Sequence, residues 1–166
     1  MDADEFDEFY LATYPRLVGQ LIALTGVRTE SEECVQEAFI RAWQHRGRLD
    51  RNGQPEAWVR TTAFRLATSR FRRTARRRRL DGALTPPAPV PGLSEDHVAL
   101  VDALAKLPED QRVAIVLHHL ADLPVATVAA ETNAPVGTVK ARLSRGRAAL
   151  AALLDTTIDD PEVRHA

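Results

Sequence analysis

The chain has 166 residues, in which 22 Lys and Arg side chains nearly balance 23 Asp and Glu side chains. That length allows one domain or two small ones and is too short for most multidomain enzymes. The sequence contains no run of 18 apolar residues, no apolar core after its acidic start and only one cysteine, Cys34. These features exclude a transmembrane helix, a secretory signal, an internal disulfide and a cysteine-based zinc cluster, so we expect a cytoplasmic protein with no metal or other cofactor.

Charge is sorted along the chain although its sum is only −1. Residues 1–37 carry nine acidic and two basic side chains, whereas residues 60–79 carry nine arginines and no acid. A second basic run without acids comes near the end of the chain, at Lys140, Arg142, Arg145 and Arg147. Local charge of this kind is typical of a nucleic-acid-binding surface, although a solvated helix face or a disordered tail is the alternative that it leaves open.

The first helices are predicted from apolar spacing, because no β pattern of any length is present. One helix runs from Phe6 to Leu24, with a kink or a new start expected at Pro15. Thr29-Glu-Ser-Glu32 has the form of a capping box, which predicts that a second helix begins after Thr29. The apolar face of this second helix comprises Val35, Ala38, Phe39, Ala42 and Trp43. Its opposite face carries Glu33, Gln36, Glu37, Ile40 and Arg41.

A long helix is predicted after a polar loop at residues 46–56. The loop is rich in Gly, Asn and Asp, and Pro55 ends it. From Glu56 onwards the helix turns Trp58 and later apolar residues inward. At about 100° per residue, one line along its outer face contains Arg65, Ser69, Arg72, Arg76 and Arg79. Such a row distinguishes a basic surface from a random basic tail.

A proline-rich stretch divides the chain. Four of the ten prolines lie between residues 86 and 91, and proline fits neither a helix interior nor a central strand. Residues 80–96 are therefore predicted to be an extended linker between two small helical domains, 1–79 and 97–154, with a flexible tail over residues 155–166. At about 3.3 Å per residue the linker reaches roughly 55 Å, slightly more than the roughly 50 Å between sites one and a half DNA turns apart.

The second domain shows the pattern of a helix-turn-helix. Helices are predicted up to Lys106 and over residues 109–119, and Pro124 begins a short helix that ends in a turn at Asn133. The last helix begins at Pro135 and turns inward Val139, Leu143, Gly146 and Leu150. Its outward face carries Thr138, Ala141, Ser144 and Arg145, flanked by Lys140, Arg142 and Arg147. Such a helix inserts its N-terminal half into the major groove, whereas an ordinary helical hairpin with a solvated face is the alternative.

These segments resemble the small bacterial sigma factors of the extracytoplasmic-function group, in the sigma-70 family. Residues 31–43 are similar to the region 2.2 helix, residues 56–60 and the arginine-rich helix after them to regions 2.3 and 2.4, residues 107–112 to the opening of region 4, and residues 135–147 to its recognition helix. The resemblance implies an all-α fold in which a region 2 bundle and a region 4 helix-turn-helix are joined by the proline-rich linker. It also implies a promoter-specificity subunit of RNA polymerase, which is not itself an enzyme.

The resemblance implies three sets of functional residues. The second helix would dock on the largest subunit of core RNA polymerase through Glu33, Gln36, Glu37, Ile40 and Arg41. The loop at residues 46–56 and the helix after it would bind and melt the −10 element, with contacts from Arg60, Arg65, Ser69, Arg72, Arg73 and Arg76. The last helix would read the −35 element through Thr138, Lys140, Ala141, Arg142, Ser144 and Arg145. The implied partners are core RNA polymerase, promoter DNA and an anti-sigma protein, with no membrane insertion.

Four residues depart from the family's usual pattern: Glu33, Arg65, Ser69 and Asn133. Arg65 and Ser69 lie on the strand-facing row, so they put the usual −10 preference in doubt. Elsewhere, Cys34 is expected to be a half-buried helix residue. His118 and His119 point about 100° apart on a helix, so they are not expected to chelate one metal ion together.

A helix-turn-helix regulator that binds DNA without polymerase is the main alternative function. It needs a dimerisation surface and a ligand or receiver domain, and the sequence shows neither. A sigma-like protein that only sequesters a partner agrees less well with the intact arginine row. A nuclease ranks last, because the sequence has no metal-carboxylate cluster.

Overall fold

The computed structural model describes residues 1–82 and 92–158, and the chain divides into two compact units between Ala88 and Pro89. Every regular element in the described ranges is a helix, which confirms the predicted all-α fold with two helical domains. Residues 83–91 of the predicted linker and residues 159–166 of the predicted tail lie outside these ranges.

The first unit is built on three long helices with a short helix between the last two. They are α1 (Ala3–Thr25), α2 (Arg28–Gln44), α3 (Arg46–Asn52) and α4 (Pro55–Asp81). Each of α1, α2 and α4 packs against the other two. Their apolar faces form one core, whose fully buried side chains include Leu17, Leu21, Ile22, Leu24, Val35, Val59 and Phe64. This packing directs the polar faces of α2 and α4 toward solvent.

α1 runs through Pro15 as one helix, so the new start predicted there does not occur. Proline removes one backbone hydrogen bond from a helix interior. Here the proline is on the exposed side of α1, while Thr13 and Leu17 on either side of it are buried in the unit. Tertiary packing on both sides of the proline therefore holds the helix together, because packing contributes more to helix stability than local propensity does.

The start of α2 also differs from the prediction. α2 begins at Arg28, before the predicted N-cap Thr29, and its N-cap Val27 makes no side-chain capping bond. The buried Ser31 hydroxyl donates to the Val27 carbonyl at 2.9 Å and lies 2.8 Å from the Thr25 hydroxyl. These contacts fix the connection between α1 and α2, so the capping box expected at residues 29–32 does not form.

The loop predicted at residues 46–56 contains the helix α3. Leu49 is buried, and α3 contacts both α2 and α4. Burying one leucine side chain contributes about 1.5–3 kcal/mol. That contribution outweighs the low helix propensity of Gly47 and Asn52. The loop was predicted because composition shows this low propensity but not the burial of Leu49.

The second unit contains four helices and one π-helical turn within its described residues. They are α5 (Glu95–Lys106), α6 (Glu109–Ile115), the π-helical turn (Val116–Leu120), α7 (Val125–Thr132) and α8 (Val136–Ile158). α5, α6 and α7 all pack on α8. Asn133 joins α7 to α8 with a φ of 51°, in the left-handed conformation that the sequence predicted.

α8 is the central helix of the second unit. Val139, Leu143 and Gly146 are buried and Leu150 is half-buried, so these residues face inward as predicted. α6 crosses α8 so closely at Gly146 that an added Cβ atom would lie 2.9 Å from Cγ1 of Ile115. The helix continues to Ile158, four residues beyond the end predicted for the second domain.

Candidate protein and nucleic-acid interfaces

The solvent side of α2 carries the five side chains that the resemblance assigns to polymerase binding, Glu33, Gln36, Glu37, Ile40 and Arg41. Arg41 Nε donates to Glu37 Oε1 at 2.8 Å, and Gln36 Nε2 donates to the Tyr14 hydroxyl at 3.4 Å. Burial raises the pKa of the Tyr14 phenol, so it stays a neutral hydroxyl at physiological pH. Ile40 is a large apolar side chain that is 55% exposed among these polar groups.

An apolar groove of about 400 Å³ borders Ile40. The side chains that line it are Phe6, Tyr10, Gln36, Phe39, Ile40, Trp43 and Gln44. The ring centroids of Phe6 and Trp43 are 5.0 Å apart, and those of Tyr10 and Phe39 are 4.8 Å apart. Aromatic contacts at these distances are favourable. The groove is therefore a preformed concave surface whose walls are rings packed on one another.

Trp43, predicted on the apolar face of α2, packs its ring on Phe6 and is 38% exposed at this groove. The guanidinium carbon of Arg46 lies 4.1 Å from the Trp43 ring centroid, in cation–π geometry. Arg46 Nη1 also donates to the Trp43 carbonyl at 2.9 Å. Neither Trp43 nor Arg46 was predicted from the sequence to be part of this surface. The available signal is their spacing, since Ile40, Trp43 and Arg46 follow one another at three-residue intervals.

The predicted arginine row lies on the solvent side of α4. We call it the first row, and it comprises Arg65, Ser69, Arg72, Arg76 and Arg79. Arg72 is half-buried and the other four are exposed, whereas Phe64, Ala67 and Thr68 on the opposite side are buried. Arg60 is half-buried and lies off this row. Trp58, predicted to face inward, is half-buried with its ring centroid 6.2 Å from that of His45.

Three further arginines form a second row on α4, which comprises Arg70, Arg73 and Arg77. They line a cleft of about 320 Å³ together with Glu30, Glu33 and Thr74. Arg70 Nη1 forms an ion pair with Glu33 Oε2 at 2.9 Å, across the contact between α2 and α4. Arg73, which the sequence analysis grouped with the −10 residues, therefore belongs to a different face from Arg72.

The outward side of α8 carries the predicted −35 residues. Thr138, Lys140, Ser144 and Arg145 are exposed and Ala141 is half-buried. Arg142 is placed differently, because its side chain is only 22% exposed and its Nη2 atom lies 3.1 Å from Asp110 Oδ2. This ion pair ties α8 to α6. The first turns of α8 therefore present small and basic side chains at the surface. Among the basic ones, Arg142 is paired with Asp110.

The described histidines and Cys34 were the remaining candidates for a metal site. Within the described residues, no group of three His, Cys, Asp or Glu side chains is placed to hold a metal ion. His118 Nδ1 lies 2.8 Å from the Leu123 carbonyl oxygen. Partial burial, followed by the nearby His118 and Arg147, lowers the pKa of His119. Cys34 is fully buried, so the prediction of a half-buried residue is wrong, and burial raises the pKa of its thiol.

Comparison with known proteins agrees with this arrangement. The family profile for sigma-70 region 2 matches residues 9–77, and the profile for sigma-70 region 4 matches residues 97–150. The ECF RNA polymerase sigma factor SigL of Mycobacterium tuberculosis (strain H37Rv) is 32% identical over 130 residues, which cover 74% of this chain and 73% of SigL. The ECF RNA polymerase sigma factor EcfG of Rhodopseudomonas palustris (strain TIE-1) is 32% identical over 158 residues, which cover 91% of this chain and 86% of EcfG.

A solved structure gives the same result. The sigma factor RpoE from Bartonella quintana, crystallised with the anti-sigma factor NepR, is 27% identical to this chain with a TM-score of 0.64. The match covers 92% of this chain and 98% of RpoE.

The two matched regions define a sigma-70-type transcription initiation factor. The chain belongs to the extracytoplasmic-function group of RNA polymerase sigma factors, which confirms the family predicted from the sequence. Its function is that of a polymerase-binding sigma factor in transcription initiation, and a helix-turn-helix regulator that acts without polymerase is not favoured. None of the helices in residues 1–82 and 92–158 has the length and apolar character needed to cross a membrane.

Proposed function

We propose that the first unit binds core RNA polymerase through α2 and the −10 element through α4, and that α8 of the second unit binds the −35 element. In this role the protein is a non-catalytic, cytoplasmic subunit. The first domain would end with α4 at Asp81, and the second would run from the start of α5 at Glu95 to the end of α8 at Ile158, with the residues between Asp81 and Glu95 as the tether. The observation that carries the proposal is the apolar groove beside Ile40, because a regulator that acts without polymerase has no use for it.

The polymerase contact would centre on Ile40 and Trp43, the two exposed apolar side chains of the groove region. Protein interfaces commonly combine a few apolar or aromatic anchors with a polar rim. Here the rim would consist of Glu33, Gln36, Glu37 and Arg41. The internal pair of Glu37 and Arg41 holds both side chains on the surface of α2, so little side-chain entropy is lost on docking.

The −10 contact would use α3 and the first row of α4. Arg65, Arg72 and Arg76 would neutralise backbone phosphates, as arginines do in most protein–DNA interfaces. Ser69 is exposed, and its short side chain would leave space between them for a nucleotide. Arg60 lies off this row and would contact a phosphate at its flank, whereas Arg73 belongs to the second row and lies outside this contact. A polar segment beside a basic helix suits the capture of an unstacked base, which strand opening requires.

The −35 contact would use the first turns of α8 in the major groove. Lys140 and Arg145 would meet base edges or phosphates, and Ala141 and Ser144 are small enough for close approach to the bases. Thr138, in the first turn, would meet a phosphate at the helix N-terminus. Arg142 would contact a phosphate, and its bond to Asp110 would fix the orientation of its guanidinium group.

We also propose that an anti-sigma protein regulates this chain. The support is the similarity to RpoE of Bartonella quintana, which was crystallised with the anti-sigma factor NepR. Such a partner would cover the exposed faces of α2 and α8. Transcription from a cognate promoter that stayed constant at every cellular level of the candidate partner would contradict regulation of this kind.

The test is reconstitution with core RNA polymerase. The chain should co-elute with core enzyme in gel filtration and support run-off transcription. Ile40→Asp should weaken co-elution, because it places a charge in the apolar groove. Leu11→Asp is the matched control, since Leu11 is 71% exposed on α1 and does not line the groove. Equal co-elution of the two variants would contradict the proposed surface, and a chain that neither co-eluted nor supported transcription would contradict the function.

A further inference from the structure

α4 presents arginines on two faces, and the proposed −10 contact uses only one of them. The second row (Arg70, Arg73 and Arg77) lies roughly 120° around the helix from the first row, at about 100° per residue. A single strand bound to the first row does not reach that face. The second row therefore needs its own explanation.

The second row differs from the first in having acidic residues opposite it. Its cleft is closed on the α2 side by Glu30 and Glu33. Within the described residues, Arg70 of this row forms an ion pair with Glu33. The Glu33 side chain is 65% exposed, so the pair is accessible to solvent and to a competing anion. Exposed ion pairs of this kind are weak.

The spacing of the row suits a phosphodiester chain. Arg70 and Arg77 are separated by about 10.5 Å along α4 at 1.5 Å per residue. One DNA strand rises about 3.4 Å per nucleotide along the duplex axis, so a row laid along that axis would extend over about three nucleotide steps. Guanidinium groups bind phosphate oxygens through two parallel hydrogen bonds, which makes arginine well suited to such a site.

We propose that the second row binds backbone phosphates of duplex DNA and that Glu33 and Glu30 limit its affinity. A phosphate that enters the cleft replaces the Glu33 carboxylate as the partner of Arg70 and is repelled by both glutamates until it does so. With the first row on one strand, the second row contacts duplex DNA next to the opened segment. This inference rests on the proposed function of α4.

The site is tested first at the level of single side chains. The full chain, labelled with ¹⁵N, is titrated with a short DNA duplex and separately with tripolyphosphate, and the arginine Nε–H resonances are followed by NMR. We expect the duplex to shift the resonances of Arg70, Arg73 and Arg77. Shifts confined to the first row would overturn the proposal, and shifts caused by tripolyphosphate but not by the duplex would overturn its assignment to DNA. Because no polymerase is present, the result is independent of core binding.

Affinity for the same duplex then tests the role of the glutamates. Glu33→Gln should tighten binding about two- to fivefold, the worth of an exposed ion pair. It should leave the slope of log K against log salt nearly unchanged, because Arg70 contacts a phosphate in both complexes and the number of neutralised phosphates is the same. Glu8→Gln on α1 is the matched control, since it removes the same charge at an exposed position away from the cleft. Equal effects of the two substitutions would overturn the role of Glu33.

The arginines provide the opposite test. Replacing Arg73 and Arg77 by alanine should make the salt slope shallower by about 1.8, whereas lysine at both positions should retain most of it. An unchanged slope in the double alanine variant would show that the row makes no phosphate contact. Failure of co-elution with core enzyme, by contrast, would contradict the proposed function. It would not affect the DNA measurements, because they are made without polymerase.

Discussion

Arg142 and Arg145 are three residues apart on α8, yet they have different surroundings. Arg142 is held by Asp110 of α6, whereas Arg145 is exposed on the outward side. The sequence placed both on the DNA face, because helical spacing gives the direction of a side chain but not the partner it meets. Of the two, Arg145 is the one whose guanidinium is available to read a base edge.

Replacing Arg145 by alanine should therefore weaken discrimination of the −35 element by about 1–3 kcal/mol, the usual worth of a specific base contact. The measurement compares binding of the polymerase–sigma complex to promoters with intact and substituted −35 elements. Arg147→Ala is the matched control, because Arg147 is also an exposed arginine of α8 but, two residues further along at about 100° per residue, points roughly 160° away from Arg145. An unchanged preference in the Arg145 variant would remove this residue from base readout.

Cys34 gives a second prediction at this scale. Its thiol is fully buried and its pKa is raised by that burial, so the folded protein should react very slowly with iodoacetamide even at about pH 9, where ordinary thiols are largely ionised. A raised pKa in the folded state also means that the unfolded state loses its proton first as pH rises. The free energy of unfolding should accordingly fall as pH rises through the ordinary thiol range, above about pH 8, and Cys34→Ser should reduce that dependence. Rapid alkylation of the folded chain would contradict this account.

At the scale of the element, periodicity predicted the helices well and local signals predicted their ends poorly. The inward residues of α8 and the left-handed turn at Asn133 follow from spacing and residue type alone. The predicted capping box at residues 29–32 does not form, while a capping box does form at the start of α1, where the backbone amide of Glu5 donates to Asp2 Oδ1 at 2.9 Å. Which of two similar sequences caps a helix depends on how the preceding connection is packed, and that is a tertiary contact.

Gly146 provides a test of the contact between α6 and α8. Gly146→Ala should lower the free energy of unfolding of the second unit by about 1–3 kcal/mol, because the added methyl group meets Ile115. Gly137→Ala in the same helix is the matched control, since nothing lies within 4 Å of its added Cβ. That variant should gain up to about 1 kcal/mol from helix propensity. Denaturant unfolding followed by circular dichroism measures both, and equal stabilisation by the two substitutions would contradict the close crossing.

At the scale of the whole molecule, composition and motif order were enough to predict two helical units and the sigma factor family. The ion pairs that distinguish the surfaces were not predictable in the same way. Glu33 and Arg70 are 37 residues apart in the chain, and Arg142 and Asp110 are 32 apart. Such pairs depend on the contact between two helices, so no local pattern contains them. The groove beside Ile40 was missed for the same reason, because its walls come from both α1 and α2.

The tether between the units gives the prediction that belongs to this scale. Inserting about 17 Gly and Ser residues after Ala88 would double the length of the predicted linker. The holoenzyme's preference for a promoter with both elements over one with the −10 element alone should then fall about threefold. The reason is that the effective concentration of the second unit near the −35 element falls roughly as the −3/2 power of tether length. Binding of the holoenzyme is compared on promoters with both elements and with the −10 element alone. Co-elution with core enzyme should be unaffected by the insertion, and an undiminished two-element advantage would contradict a length-limited tether.

The stacking of Arg46 on Trp43 has a practical consequence. The two tryptophans of the chain, Trp43 and Trp58, both lie in the first unit, and Trp43 stands at the groove proposed for the polymerase. Indole emission responds to the polarity of its surroundings and to a cation stacked on the ring. Trp43 is therefore an intrinsic fluorescent probe of polymerase binding. In a Trp58→Phe variant, its fluorescence emission would follow docking in real time without any attached dye.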